Sequence, residues 1–342
     1  MTQSGSGAAD GPGLHTGPGL QRPTEHDEQR AEPIGRRSVL AALGANLAVA
    51  LTKFVGFLVT GSSSLLAETL HSVADTGNQL LLLVGSHLGG VRPSPSQPFG
   101  RGRERYFWAF VVGLVLFGLG GVFSLWEGYR KMTSVDHELV SPAVGIGLLL
   151  VAAVIEAASL RTGLSEADEI RPSGQSWFHF VRRTRNPEVT VVLLEDGAAL
   201  LGLAIAFAGV AATWATGNAA WDGIATLAIG GLLCVVAAVL TIEMKSLLIG
   251  ETIAPGRSRE LEHIITGVAG VDRVLNLRTE HLGPEQVLVC VKIALTEPAD
   301  LQRVVEVIDL VERAVAAEIP EMLTCYVEPD VFDPARSDVE WT

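Results

Sequence analysis

Cysteine is nearly absent from this sequence. Cys234, Cys290 and Cys325 are the whole complement in 342 residues. They form no CxxC or other metal-ligand spacing, which argues against a disulfide framework and points to reduced thiols. Basic charge is short as well, with 25 Lys and Arg against 38 Asp and Glu and a formal net charge of -13. So acidic a chain lacks the positive surface that nucleic-acid phosphates require. The first residues hold no apolar stretch with a small-residue cleavage site, so no secretory signal is read there. Asp10, Glu25, Asp27, Glu28 and Glu32 do not suit an acid-poor transit peptide either, and a cell (inner) membrane is the expected location. Residues 1–35, rich in Gly, Pro and charge, have almost nothing to bury and are expected to form a disordered cytoplasmic tail.

Apolar sequence is what the chain has in quantity. Hydrophobic residues make up 48% and the mean hydropathy is +0.35, too apolar for an ordinary soluble domain and too charged for membrane throughout. Six apolar runs, near 38–60, 63–88, 106–129, 141–160, 187–214 and 222–246, approach the ~20 residues that cross ~30 Å of hydrocarbon. Such runs read as helices, because a spanning segment must satisfy its own backbone. Arginines crowd alternate breaks: Arg36 and Arg37 before the first run, Arg92, Arg101, Arg103 and Arg105 before the third, and Arg161, Arg171, Arg182, Arg183 and Arg185 before the fifth. Only Arg130 and Lys131 oppose this trend, so both termini are expected on the cytoplasmic side. The transmembrane part is therefore placed at 36–248.

Beyond it the pattern becomes soluble. Residues 257–267 read as a helix, 271–280 and 286–295 as strands, 299–318 as an amphipathic helix and 323–327 as a strand. This predicts a small cytoplasmic α+β domain of αββαβ order over 249–330, with an acidic tail at 331–342.

The second apolar run carries Glu68, His71 and Asp75. At i, i+3 and i+7 they share one helix face over two turns, and an imidazole and a carboxylate four residues apart can hold one cation. Ionisable groups at membrane depth are expensive and are kept mainly where they line a path or a site. In the fifth run, Glu188 lies at the entrance, where it suits a helix start. Glu195 and Asp196 sit about two turns deeper and ~100° apart, so one is free to bind an ion while the other pairs elsewhere. If the two runs pack together, His71, Asp75 and Glu195 or Asp196 supply three or four N and O ligands, a set that suits zinc and also manganese, iron or cobalt. His71 must be neutral to coordinate, so metal and protons compete there. Asn78 is a candidate outer partner of the site. Asn46, Lys53, Glu156 and Asp222 are candidates to line the path, cap a helix or pair with one another. GxxxG-like glycines at Gly113, Gly118, Gly120, Gly121, Gly230 and Gly231 permit close helix contact, within one chain or between two.

These residues resemble the cation diffusion facilitator family. HSVAD, His71 to Asp75, is similar to the family's HxxxD metal motif and follows GSSSLLAETL; PFGRGRERYF, Pro98 to Phe107, is similar to its Gly-containing segment before the third span. LRTEHLGPEQVLV, Leu277 to Val289, resembles the central hairpin of its cytoplasmic domain. SLLAETLHSVADTGNQ and VLLEDGAALLGL are most similar to the zinc transporter nine-like branch. The resemblance implies six spans, a ferredoxin-like or metallochaperone-like cytoplasmic domain, a homodimer and alternating access. Most relatives carry HxxxD or DxxxD in the fifth span; here Pro187 or Glu188 and then Val192 hold that register, so Glu195 and Asp196 enter as replacements. His263, His281, Cys325, Glu328 and Asp330 are the candidate ligands of the soluble domain.

The expectation is a multi-pass exporter of a divalent cation, zinc first, driven by protons as counter-ion, with no resident cofactor and no enzymatic reaction. Manganese or iron export is the rival within transport. A membrane scaffold that binds a partner through its C-terminal domain is the rival outside it.

Overall fold

The computed structural model describes residues 36–60, 63–133, 142–172, 174–218, 220–296 and 299–332. The expected tail at 1–35, most of the acidic end, and the side chains of Glu68 and His71 lie outside the described residues.

Helix α1 (Arg36–Thr60) is followed by α2 (Ser63–Gly89). Next come α3 (Glu104–Val115), a π-helical stretch (Leu116–Val122) and α4 (Phe123–Thr133), which run on as one rod. Then follow α5 (Pro142–Ile170), the short α6 (Trp177–Arg183), α7 (Pro187–Thr216) and α8 (Ala220–Ile249). Among the described residues five stretches are long and apolar enough to cross a bilayer: Arg36–Val55, Glu104–Thr133, Ile146–Ile170, Pro187–Thr216 and Ala220–Ile249.

Helix α5 runs about ten residues past the apolar stretch read in the sequence. Its extension, RTGLSEADEI, contains no proline, and Pro172 stands just beyond its end. The extension also has a task. Glu166 accepts a hydrogen bond from the Ser38 backbone N–H at 2.7 Å, satisfying one of the donors that the start of α1 leaves without an intrahelical partner.

The helices close into a ring in the order α1, α2, α3–α4, α8, α7, α5 and back to α1. Glycines set the seam between the α3–α4 rod and α8. A Cβ on Gly121 would lie 2.5 Å from Cys234 Sγ, one on Gly128 2.8 Å from the Leu227 backbone nitrogen, and one on Gly230 2.7 Å from the Leu125 backbone nitrogen. These glycines therefore serve close packing inside one chain, whereas Gly118 and Gly231 meet nothing within 4 Å.

Helix α7 begins where its sequence dictates. Asn186 caps it by accepting from the Val189 N–H at 3.2 Å, Pro187 occupies the first turn, and Gly217, at φ +67°, ends it. Every residue from Pro187 to Leu193 is buried, because α1, α3, α5 and α8 all touch this helix.

After Gly250 come α9 (Pro255–Thr266), β1 (Val271–Gly283), β2 (Gln286–Leu295), α10 (Leu301–Glu318) and β3 (Met322–Asp330). The sheet order is β1-β2-β3, with β1 and β2 an antiparallel hairpin and β3 parallel to β2. The strands β1 and β3 are each longer than their apolar cores suggested. Burial alternates along β2, and its inward residues Val289, Val291 and Ile293 pack on Leu261, Val311 and Val315 of the two helices. Burial there pushes the Cys325 thiol up to about 12, so it is an inert core thiol.

Candidate metal centre

At the base of the bundle, α7 and α3 are joined by a buried ion pair. Arg105 Nε donates to Glu188 Oε1 at 2.6 Å and Nη2 to Oε2 at 2.9 Å, with side chains 7% and 2% exposed. A fork-on-fork pair of this kind fixes both groups in orientation as well as distance. Gly89 of α2 makes room for it, since a Cβ there would lie 2.7 Å from Arg105 Cγ. The same guanidinium reaches the hairpin turn of the small domain, with Nη1 3.7 Å from Glu285 Oε1. Arg103 pairs with Glu280 on β1, and Arg185 with Glu251 at 2.7 Å. Gly102 packs flat on the hairpin, where a Cβ would come 2.6 Å from the Leu282 carbonyl oxygen.

Two turns further along α7 the adjacent carboxylates diverge. Glu195 faces α2, accepting from Asn78 Nδ2 at 3.2 Å and from Gln79 Nε2 at 2.7 Å. Asp196, buried, turns to α5 and accepts from Ser159 Oγ at 2.7 Å. Asp75 stands one turn before Asn78 and Gln79 on the same stripe of α2, and the helical register puts position 71 one turn earlier again. The structure thus brings Glu195 to the helix of His71 and Asp75 through two amides. Asp196 points into the interface with α5, where Glu156 is also buried.

The other candidates scatter. Lys53 Nζ donates to Ser72 Oγ at 3.1 Å, tying α1 to α2. Asn46 is buried on α1. Asp222 pairs with Lys131 at 2.8 Å, at the end of α8 opposite the small domain. In the small domain Glu328 and Asp330 both hold Lys292, at 2.9 and 3.0 Å. His281 is largely buried; desolvation, with the nearby Arg185 charge, lowers it to about 4. Among the described residues no three His, Cys, Asp or Glu side chains converge as a metal cluster.

Residues 39–249 match the cation efflux transmembrane domain. The chain belongs to the cation diffusion facilitator family. It falls in the branch of the zinc transporter nine-like proteins. It is 30% identical over 246 residues to the human "Proton-coupled zinc antiporter SLC30A9, mitochondrial", covering 72% of this chain and 43% of that protein. It is 30% identical over 254 residues to Metal tolerance protein C4 of Arabidopsis thaliana, covering 73% and 54%. Across 83% of the chain and 89% of the relative it is 25% identical to the Cation-efflux pump FieF of Escherichia fergusonii. The chain thus spans about half the length of the human and plant relatives.

For a cation diffusion facilitator, the partners that the sequence did not reveal are Gln79 and Arg105. Gln79 followed Asn78 as one more polar residue in an apolar run, although its place four residues after Asp75 puts it on the same stripe. Arg105 counted toward loop charge and as part of the PFGRGRERYF segment, and nothing local signalled that Glu188, 83 residues on, would bury with it.

Proposed function

We propose that this chain exports a divalent metal cation, zinc first, in exchange for protons. The observation that carries the reading is Glu195, a carboxylate inside the helical bundle held by two amides from the helix of His71 and Asp75. His71 and Asp75 bind the ion from α2, and Glu195 completes the site from α7. Asp196 and Glu156, both buried between helices, and Glu68 are proposed to line the path. Asp222 is left out of the path, because it is paired with Lys131 at the far end of α8.

Exchange follows from the chemistry of the donors. A neutral imidazole and ionised carboxylates bind metal, and protonation of the same groups releases it, so the two cargoes are mutually exclusive on one site. Alternating exposure of a site between helices is the general way secondary transporters move such cargo. With α2 as the sixth span, both ends of the chain lie on the arginine-bearing side, taken as the cytoplasmic face of a cell membrane. The small domain, of αββαβ order and metallochaperone-like, is proposed to hold two copies together as a homodimer. The relatives support this reading, one named a proton-coupled zinc antiporter and another a cation-efflux pump.

The test is metal-driven proton movement in proteoliposomes loaded with a pH dye, offering Zn²⁺, Mn²⁺, Fe²⁺ and Co²⁺ to wild type and to Asp75→Ala. The expected result is proton flux driven by Zn²⁺ and lost in the variant. Folded, inserted protein that moves protons with none of these metals would overturn the exchanger and leave a scaffold as the reading.

A further inference from the structure

Asn78 and Gln79 are 2% and 0% exposed. Each spends its amide N–H on Glu195, and in each the carbonyl oxygen, Asn78 Oδ1 and Gln79 Oε1, is buried without a hydrogen-bond partner. An ionised Glu195 carboxylate accepts only, so it holds each NH₂ toward itself and turns each C=O away. Flipping either amide would set oxygen against oxygen. The orphaned oxygens are therefore a consequence of the Glu195 contact.

A buried acceptor without a partner costs about 1–3 kcal/mol, and native structures keep few of them. Two on consecutive residues need a reason. Both lie an amide's width from the Glu195 carboxylate and one helical turn beyond Asp75, on the stripe that includes position 71. Asp75 shares that stripe and Glu195 reaches it from α7, so the two carbonyls stand beside a carboxylate from each helix. A cation would satisfy both orphaned oxygens, since amide carbonyls are hard donors for divalent ions.

We propose that Asn78 Oδ1 and Gln79 Oε1 are ligands of the transported divalent cation, and that they bias the site toward oxygen-preferring ions such as Mn²⁺ over the softer Cd²⁺. This rests on the exporter reading for the word transported, and on the geometry alone for the word ligand. The two amides then act twice, orienting Glu195 through nitrogen and binding the ion through oxygen.

The experiment separates the two readings. Purified full-length protein in detergent is titrated by equilibrium dialysis with Mn²⁺ and with Cd²⁺, as wild type, Asn78→Ala and Gln79→Met; the same proteins are assayed for flux in proteoliposomes. Gln79→Met keeps the chain length and exchanges a hard oxygen for a soft sulfur, so the Cd²⁺/Mn²⁺ affinity ratio is expected to rise at least about tenfold, with a smaller rise for Asn78→Ala. A role confined to holding Glu195 would weaken both metals equally and leave the ratio in place. An unchanged ratio in folded variants therefore overturns the proposal even if the wild type transports. A shifted ratio in a protein that moves no metal upholds the ligands and sinks the exporter. Absence of metal binding to the wild type sinks both.

Discussion

Removing one partner of the Arg105–Glu188 pair leaves a full charge where water cannot reach it. Both groups are under a tenth exposed and joined by two short bonds. Glu188→Gln or Arg105→Met should each cost about 3–5 kcal/mol, the usual penalty of an uncompensated buried charge. The double change Arg105→Met with Glu188→Leu removes both charges, keeps the volume, and should recover most of that loss. The Glu285 contact sets the internal control. Glu285 is 53% exposed and 3.7 Å away, so Glu285→Gln should cost no more than about 1 kcal/mol. Reversible unfolding of purified protein in mixed detergent micelles, followed by helical circular dichroism against rising SDS fraction, gives the four numbers of the cycle. A Glu188→Gln protein within about 1 kcal/mol of wild type would refute the desolvated pair, and a double variant no better than the singles would show that shape rather than charge is at stake.

Two further outcomes follow from packing and from burial. Gly121→Val meets Cys234 at 2.5 Å and Gly230→Val meets the Leu125 backbone at 2.7 Å, so each should lower stability by about 1–3 kcal/mol or more. Gly231→Ala, in open space, should stay within about 0.5 kcal/mol in the same unfolding assay. His281, held near 4 in the folded domain, stays neutral there while the unfolded chain takes up a proton below about 6.5. The His281 contribution to folding stability should therefore fall by up to about 3 kcal/mol as pH drops from 6.5 to 4. Amide protection factors of the β1–β2 hairpin should follow that curve and flatten in His281→Gln; a pH-independent wild type would contradict the burial.

The sequence showed the helices because their signal is local. Apolar runs of bilayer length act within a few residues of each other. The strand at 286–295 was likewise read from its own residues. The ends of elements were less legible, since polar helix formers carried α5 past its apolar part to reach Ser38. Long-range partners were least legible. Glu195 and Asp196 were visible as costly groups, but which helix each would meet depended on the closing of the ring. The purpose of the seam glycines was hidden for the same reason, as spacing alone does not say which helix will lie against them.

Arg105 touches three parts of the molecule at once, the groove at Gly89, the carboxylate of Glu188 and the turn at Glu285. Such a residue has little freedom to drift. A lineage that replaced Glu188 with a neutral residue would strand the guanidinium, and one that replaced Gly89 with a larger residue would push it from its seat. Viable descendants must change these positions in concert or pass through a weakened intermediate. Positions 89, 105 and 188 should therefore covary as a set among relatives, while 285, half in water, varies on its own.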